Sequence, residues 1–209
     1  MQGLAMKMTT SVLWAGLVLM AGAVSGCVSW ASYPAAPGET AVKSPNAPAI
    51  EELMMTGMKW AVTKHPPVDS NGQHIGGGRV AINLPPGVKP KVYRRVAEAA
   101  GGGAEPITEA NKNLPTYHVK SLRIRGDEAQ IILVCPAATL GAAPGGGPVY
   151  QEIKLGIAGG LGPWRVVNFR EWGPGMAELP PINYYVQEPD YVPDAPKKTD
   201  KPAKVPAGP

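Results

Sequence analysis

His65, Asp69 and His74 fall within ten residues of one another. Imidazole and carboxylate groups are legitimate zinc ligands. Pro66, Pro67 and Gly72 interrupt the same stretch, so no regular element holds the three at a fixed spacing. The sequence predicts solvated loop residues there, and no metal. Ile75-Gly76-Gly77-Gly78-Arg79 has the glycine content of a phosphate cradle. A cradle of that kind follows a strand and opens a helix through Gly-Lys-Ser/Thr, whereas these glycines precede a strand pattern and predict a plain flexible turn. His118, beside Tyr117, has the chemistry of a general acid or base. It needs an oriented partner, and the sequence supplies neither that nor a Gly-x-Ser-x-Gly elbow. No catalytic residue and no cofactor is expected.

Of the two cysteines, Cys27 is set apart by what precedes it. Lys7 gives a charged start, Val12 to Val24 an apolar run of about 13 residues, and Ser25-Gly26 a pair of small residues. That is the order of a secretory signal, and the run is short of the roughly 20 residues a spanning helix needs. Val24-Ser25-Gly26-Cys27 resembles the bacterial lipobox. In that family the thiol takes a diacylglycerol, the chain is cut before the Cys (here after Gly26), and the new amine is acylated. One acyl chain binds a bilayer marginally and several bind it durably. The resemblance implies a lipoprotein of the bacterial cell envelope, facing the periplasm and contacting the membrane through lipid on Cys27. Val28, in place of Asp, favours the outer over the inner membrane.

Acylation of Cys27 leaves Cys135 with no intrachain partner. Ala129, Ile131, Leu133 and Cys135 alternate onto one strand face. The sequence therefore predicts a buried, inert thiol.

The net charge of +4 and the lack of any long Lys/Arg run are too mild for a nucleic-acid footprint. Gly and Pro, 26 and 24 of 209 residues, approach a low-complexity level but cluster outside the periodic segments. Residues 27–48 read as a lipidated Cys and a flexible tether, extended at about 3.1 Å per residue. Residues 49–186 read as the folded domain. Residues 187–209, rich in Pro, Lys and acidic residues, read as a disordered tail that could dock a protein partner.

Within the domain, Pro48 and Glu51-Glu52 suit a helix start. Ile50, Leu53, Met54, Gly57, Met58 and Ala61 give one apolar stripe ending near Thr63. Arg79 to Leu84 alternate as a short strand. A second helix runs from Pro90, with Val92, Val96 and Ala100 on one face, to Gly101-Gly102-Gly103. Residues 104–115 read as irregular. Tyr117–Arg125 and Ala129–Cys135 form a hairpin around Gly126-Asp127-Glu128. A second pair, Val149–Ile157 and Trp164–Trp172, turns at Gly159–Gly162. The predicted fold is α+β: two short helices packed on a four- or five-stranded antiparallel curved sheet. Trp60, Trp164, Trp172, Tyr93 and Phe169 are expected to close its core.

Helices followed by long hairpins, with Gly126-Asp127-Glu128-Ala129 in one turn and Trp164-Arg165-Val166 opening the last strand, resemble the NTF2-like superfamily over roughly residues 50–172. The resemblance implies a cone-shaped domain whose hollow binds a small molecule. Tyr93, His118 and Trp164 are the candidate lining residues. Two functions follow as expectations. One is a non-catalytic binding or assembly role at the envelope; the other is a small-ligand binder, or an enzyme, that uses the cone.

Overall fold

The computed structural model describes residues 29–69, 71–137, 140, 148–160 and 162–187. The apolar stripe becomes α1, Pro48–Lys64, with Pro at its start, Glu51 in its first turn and Lys64 in its last. It buries Ile50, Leu53, Met54, Gly57, Met58, Ala61 and Val62. The second helix, α2, is Pro90–Ala100; its buried residues are Val92, Tyr93, Val96, Ala97 and Ala100. Gly101, at φ 69°, ends it in a conformation that favours glycine.

Among the described residues eight strands form one sheet: β1 Ala31–Tyr33, β2 Thr40–Ala41, β3 Val80–Asn83, β4 Ala104–Pro106, β5 Thr116–Arg125, β6 Glu128–Pro136, β7 Tyr150–Ala158 and β8 Arg165–Glu171. Its main path runs β2-β1-β5-β6-β7-β8, with β3 and β4 branching from β5. The α+β class matches the sequence expectation; the strand count exceeds it. Three of the extra strands have physical reasons to be silent in the sequence. The segment expected as a tether holds β1 and β2, and β1 pairs antiparallel with β5 at Ala31–Ile124, Ser32–Arg123 and Tyr33–Leu122. The stretch expected as irregular holds β4, parallel to β3. Strands of two or three residues carry almost no periodicity and exist only where a longer strand offers free backbone groups.

The two helices also divide their work differently from the expectation. α1 lies on β5, β6 and β8, while α2 packs against α1 and β4. Glu51, buried in α1, joins the helices through Arg95 at 2.6 Å. β3, α2 and β4 form a parallel strand–helix–strand unit, and β3 continues the parallel pairing into the first part of β5.

The core face is set by alternation with one correction. Tyr117 and Val119 face the helices, and so do Leu122 and Ile124; these pairs have opposite parity. A bulge between Val119 and Ser121 inserts Lys120 and restores the parity, as an extra residue in one strand must. Ile131, Leu133, Ile153, Leu155 and Ile157 complete that face. Cys135, 1% exposed, belongs to the same core. Burial pushes its thiol well above the usual range, so little thiolate exists at neutral pH. We expect the folded protein to resist maleimide labelling at Cys135 for hours and to label promptly in urea; equal rates in the two states would exclude this burial.

Two of the aromatic residues expected in the core lie elsewhere. Phe169 is 56% exposed and touches only the rim, its ring 5.1 Å from that of Trp60. The Trp172 ring sits under the Arg170 guanidinium at 5.4 Å. β8 is the last strand of the sheet path, so its residues lack a neighbour on one side.

Candidate functional site

Two places in the fold gather polar side chains, and they differ in access. The first is interior. β5 alternation turns His118 away from Tyr117 and Val119, towards Asn83 at the end of β3, its register partner. Asn83 Nδ2 lies 3.0 Å from His118 Nδ1 and donates to Pro181 O at 3.0 Å. Asn83 Oδ1 accepts the Asn183 N–H at 2.9 Å. Because Asn83 offers an N–H, Nδ1 of His118 is the acceptor and its proton resides on Nε2. Nε2 itself is buried without a hydrogen-bond partner. Burial lowers the His118 pKa to about 4, so the ring is neutral at pH 7. Tyr93 closes the cluster. Its hydroxyl accepts the Leu84 N–H at 3.0 Å and shares its own proton between the Ile82 and Asn183 carbonyls at 3.0 and 3.1 Å. Burial raises its pKa, so it stays protonated.

Asn83 and Tyr93 bind the chain's own later segment. They hold the segment after β8 as it crosses the sheet from Gly175, bonded to Tyr150 O, to Tyr185, bonded to Ile107 O. Sequence reasoning missed Asn83 and Asn183, and no signal in the sequence links two asparagines 100 residues apart.

Of the candidate lining residues, the structure brings Tyr93 and His118 to one cluster and leaves Trp164 outside it. Trp164 stands at the β7–β8 turn, its ring against Gly159, where a Cβ would lie 2.7 Å from the indole. His118 pairs with Val134 at the other end of β6 from that turn, and six residues of strand span about 20 Å. Tyr93 and His118 are buried, and none of the three lines either of the two clefts described below.

The loop side chains at 65–74 are also apart in role. Asp69 Oδ1 accepts the N–H groups of Asn71 and Gln73, a local turn. His65 faces Glu171 at 3.4 Å; burial lowers its pKa more than Glu171 raises it. Among the described residues no group of three or more His, Cys, Asp or Glu side chains is placed to hold a metal ion. Gly76-Gly77-Gly78 lie in a short 3-10 turn leading into β3.

The second place is open. On the sheet face turned away from α1, a cleft of about 440 Å³ lies over β6, β7 and β8. Its register rows are Ile132–Lys154–Arg170, Gln130–Gly156–Asn168 and Glu128–Ala158–Arg165. Gly156 and Ala158 keep its floor low, and the Asn168 side chain lies across Gly156, whose added Cβ would meet Oδ1 at 2.2 Å. Trp30, just before β1, forms a wall. Its ring carries the guanidinium of Arg123 at 5.1 Å and of Arg125 at 4.7 Å. Arg123 also pairs with Glu39, and Arg125 with Glu128. A smaller cleft of about 410 Å³ lies beside His65, Val68 and Leu140. The open-face cleft combines cations, amides and an indole, a set that can hold a polar group by charge and hydrogen bonding without chemistry.

No protein-family model, no curated protein and no solved structure matches the chain. What it does must therefore be argued from its own residues.

Proposed function

We propose that the protein is a lipid-anchored protein of the bacterial cell envelope, held by acyl chains on Cys27, whose folded part binds or assembles and performs no catalysis. The observation that carries this reading is the placement of Val24-Ser25-Gly26-Cys27. It lies at the end of a short apolar run and four residues before the first strand, Ala31–Tyr33. An export signal must end where a folded domain can begin, and a lipid attached there reaches the membrane without burdening the domain.

The anchor in this reading is short. Trp30 is fastened to the sheet through Arg123 and Arg125, and three residues of extended chain reach at most about 11 Å. The domain then rides close to the headgroups instead of at the end of a long leash. The interior cluster of Asn83, His118 and Tyr93 supports the non-catalytic part. Asn83 and Tyr93 are engaged with the strap at residues 181–183, and the His118 ring is neutral and buried.

Metabolic labelling with palmitate, followed by intact mass measurement of the membrane fraction, tests the proposal. The expected product begins at Cys27 and carries a diacylglycerol and an amide-linked acyl group. Cys27→Ser is expected to incorporate no label, whereas Cys135→Ser incorporates as much as the parent. A chain that pellets with membranes at full length and without acyl mass would overturn the reading.

A further inference from the structure

The rows of the open-face cleft place two cations directly opposite each other, Lys154 on β7 and Arg170 on β8. Like charges in that relation destabilise a strand pair. Six other cations among the described residues, Arg79, Arg95, Lys112, Lys120, Arg123 and Arg125, are held against carboxylates. Among the described residues no carboxylate pairs with Lys154 or Arg170, and Arg170 rests only on the Trp172 ring. Between this pair and Trp30 sits Gln130, whose Oε1 is buried without a hydrogen-bond partner. Its Nε2, which is not among the buried unpartnered atoms, can offer N–H to an anion in the cleft. Asn168, across Gly156 in the same row, offers a second amide. Glu128 also lines the cleft; Arg125 holds it at 2.6 Å, at the row furthest from Lys154.

We propose that this cleft takes the phosphate of an anionic phospholipid headgroup in the membrane that holds the anchor. Lys154 and Arg170 neutralise the phosphate, Gln130 and Asn168 donate to its oxygens, and the Trp30 ring lies against the glycerol end. The lipid source follows from position. Trp30 is three residues from Cys27, so an anchor at Cys27 sets this wall at headgroup depth, where an indole with one apolar and one polar edge is favoured. The inference rests on the proposed acylation of Cys27. It adds that the membrane is recognised by its charge as well as entered by the anchor.

The test uses the full processed chain, placed in nanodiscs of phosphatidylcholine alone or with about 30 mol% phosphatidylglycerol, enough to give a surface potential. Acetylation of Lys154 is followed by mass spectrometry and divided by that of Lys112, which corrects for the general effect of a charged surface. Lys154 is expected to react about fivefold more slowly in the anionic discs, the effect of one cation at such a surface. The protection should fall away in Arg170→Gln and in about 0.5 M salt, where the charges are screened. Gln130→Leu should weaken it without altering the thermal midpoint. Equal Lys154 ratios in the two discs, with acyl mass present at Cys27, would overturn the inference and leave the anchor standing. Protection by millimolar inorganic phosphate in neutral micelles but not by phosphatidylglycerol would replace the lipid with a free anion, and so overturn the headgroup assignment. A chain lacking acyl mass at Cys27 whose Lys154 is still protected by anionic discs supports the cleft and removes the anchor.

Discussion

Lowering the pH from 7 to 4 is expected to cost about 3 kcal/mol of stability through His118 alone. The ring is 3% exposed, and its pKa is lowered from 6.5 to about 4 by burial. Below pH 6.5 the unfolded chain gains a proton that the folded chain refuses until about pH 4. Stability therefore falls with falling pH through that window and levels below it. The structural consequence is specific. A proton on Nδ1 would face the Asn83 N–H, and two donors cannot share one bond. Asn83 relieves the conflict only by turning its amide, which breaks its bonds to Pro181 and Asn183. The strap over residues 181–183 should open first. His118→Phe keeps a ring beside Tyr150, which now stands 5.5 Å away, and removes the titration. Urea midpoints at pH 7, 5.5 and 4.5 should converge between parent and variant at the acid end after differing at neutral pH. Carboxylates contribute equally to both chains, so parallel pH dependences would disprove the assignment to His118.

Gly57→Leu is expected to destabilise the fold by about 3 kcal/mol. Glycine inside a helix ordinarily costs about 1 kcal/mol relative to alanine, so its presence in α1 needs a reason. The helix crosses β6 here, and a Cβ on Gly57 would stand 3.0 and 3.2 Å from Ile131 Cδ1 and Cγ2. The Ile131 side chain occupies the space a side chain at 57 would need. Alanine is close to neutral at this position, because its helix propensity offsets the contact. Leucine forces α1 off the sheet, at the upper end of the roughly 1–3 kcal/mol that overpacking a core usually costs. The double variant Gly57→Ala with Ile131→Val should be more stable than the sum of its parts by 0.5 kcal/mol or more, since the two side chains share one volume. Additive effects would show that the close approach carries no energy. Thermal melts of the four chains decide it.

Both effects arise where local pattern meets a distant partner, and this marks what was legible in the chain. The stripe of Ile50, Leu53, Met54, Met58 and Ala61 specified α1, Gly101 stopped α2, and the alternation of 129–135 and 149–157 specified β6 and β7. The parity break in β5 was present in the sequence too, as Val119 and Leu122 with one residue too many for alternation between them. What was missed was short or remote. Ala31–Tyr33 looked like part of a tether because three residues hold no period. Asn83 looked like the end of a strand because its partners, Pro181 and Asn183, lie about a hundred residues on. The resemblance to a cone-shaped fold put Trp164 and His118 in one pocket, but the strands place them at opposite ends of the sheet.

By itself, then, the sequence determined the α+β class and the helices and long strands. Those follow from side-chain spacing and turn chemistry within a few residues, which the chain carries wherever it goes. The tertiary structure decided that eight strands of the described residues make one sheet and that His118 meets Asn83 beneath the strap at residues 181–183. It also set Lys154 against Arg170 beside Trp30. These depend on backbone groups and charges far apart in the chain, whose pairing gains free energy only after the sheet has brought them within a few ångströms.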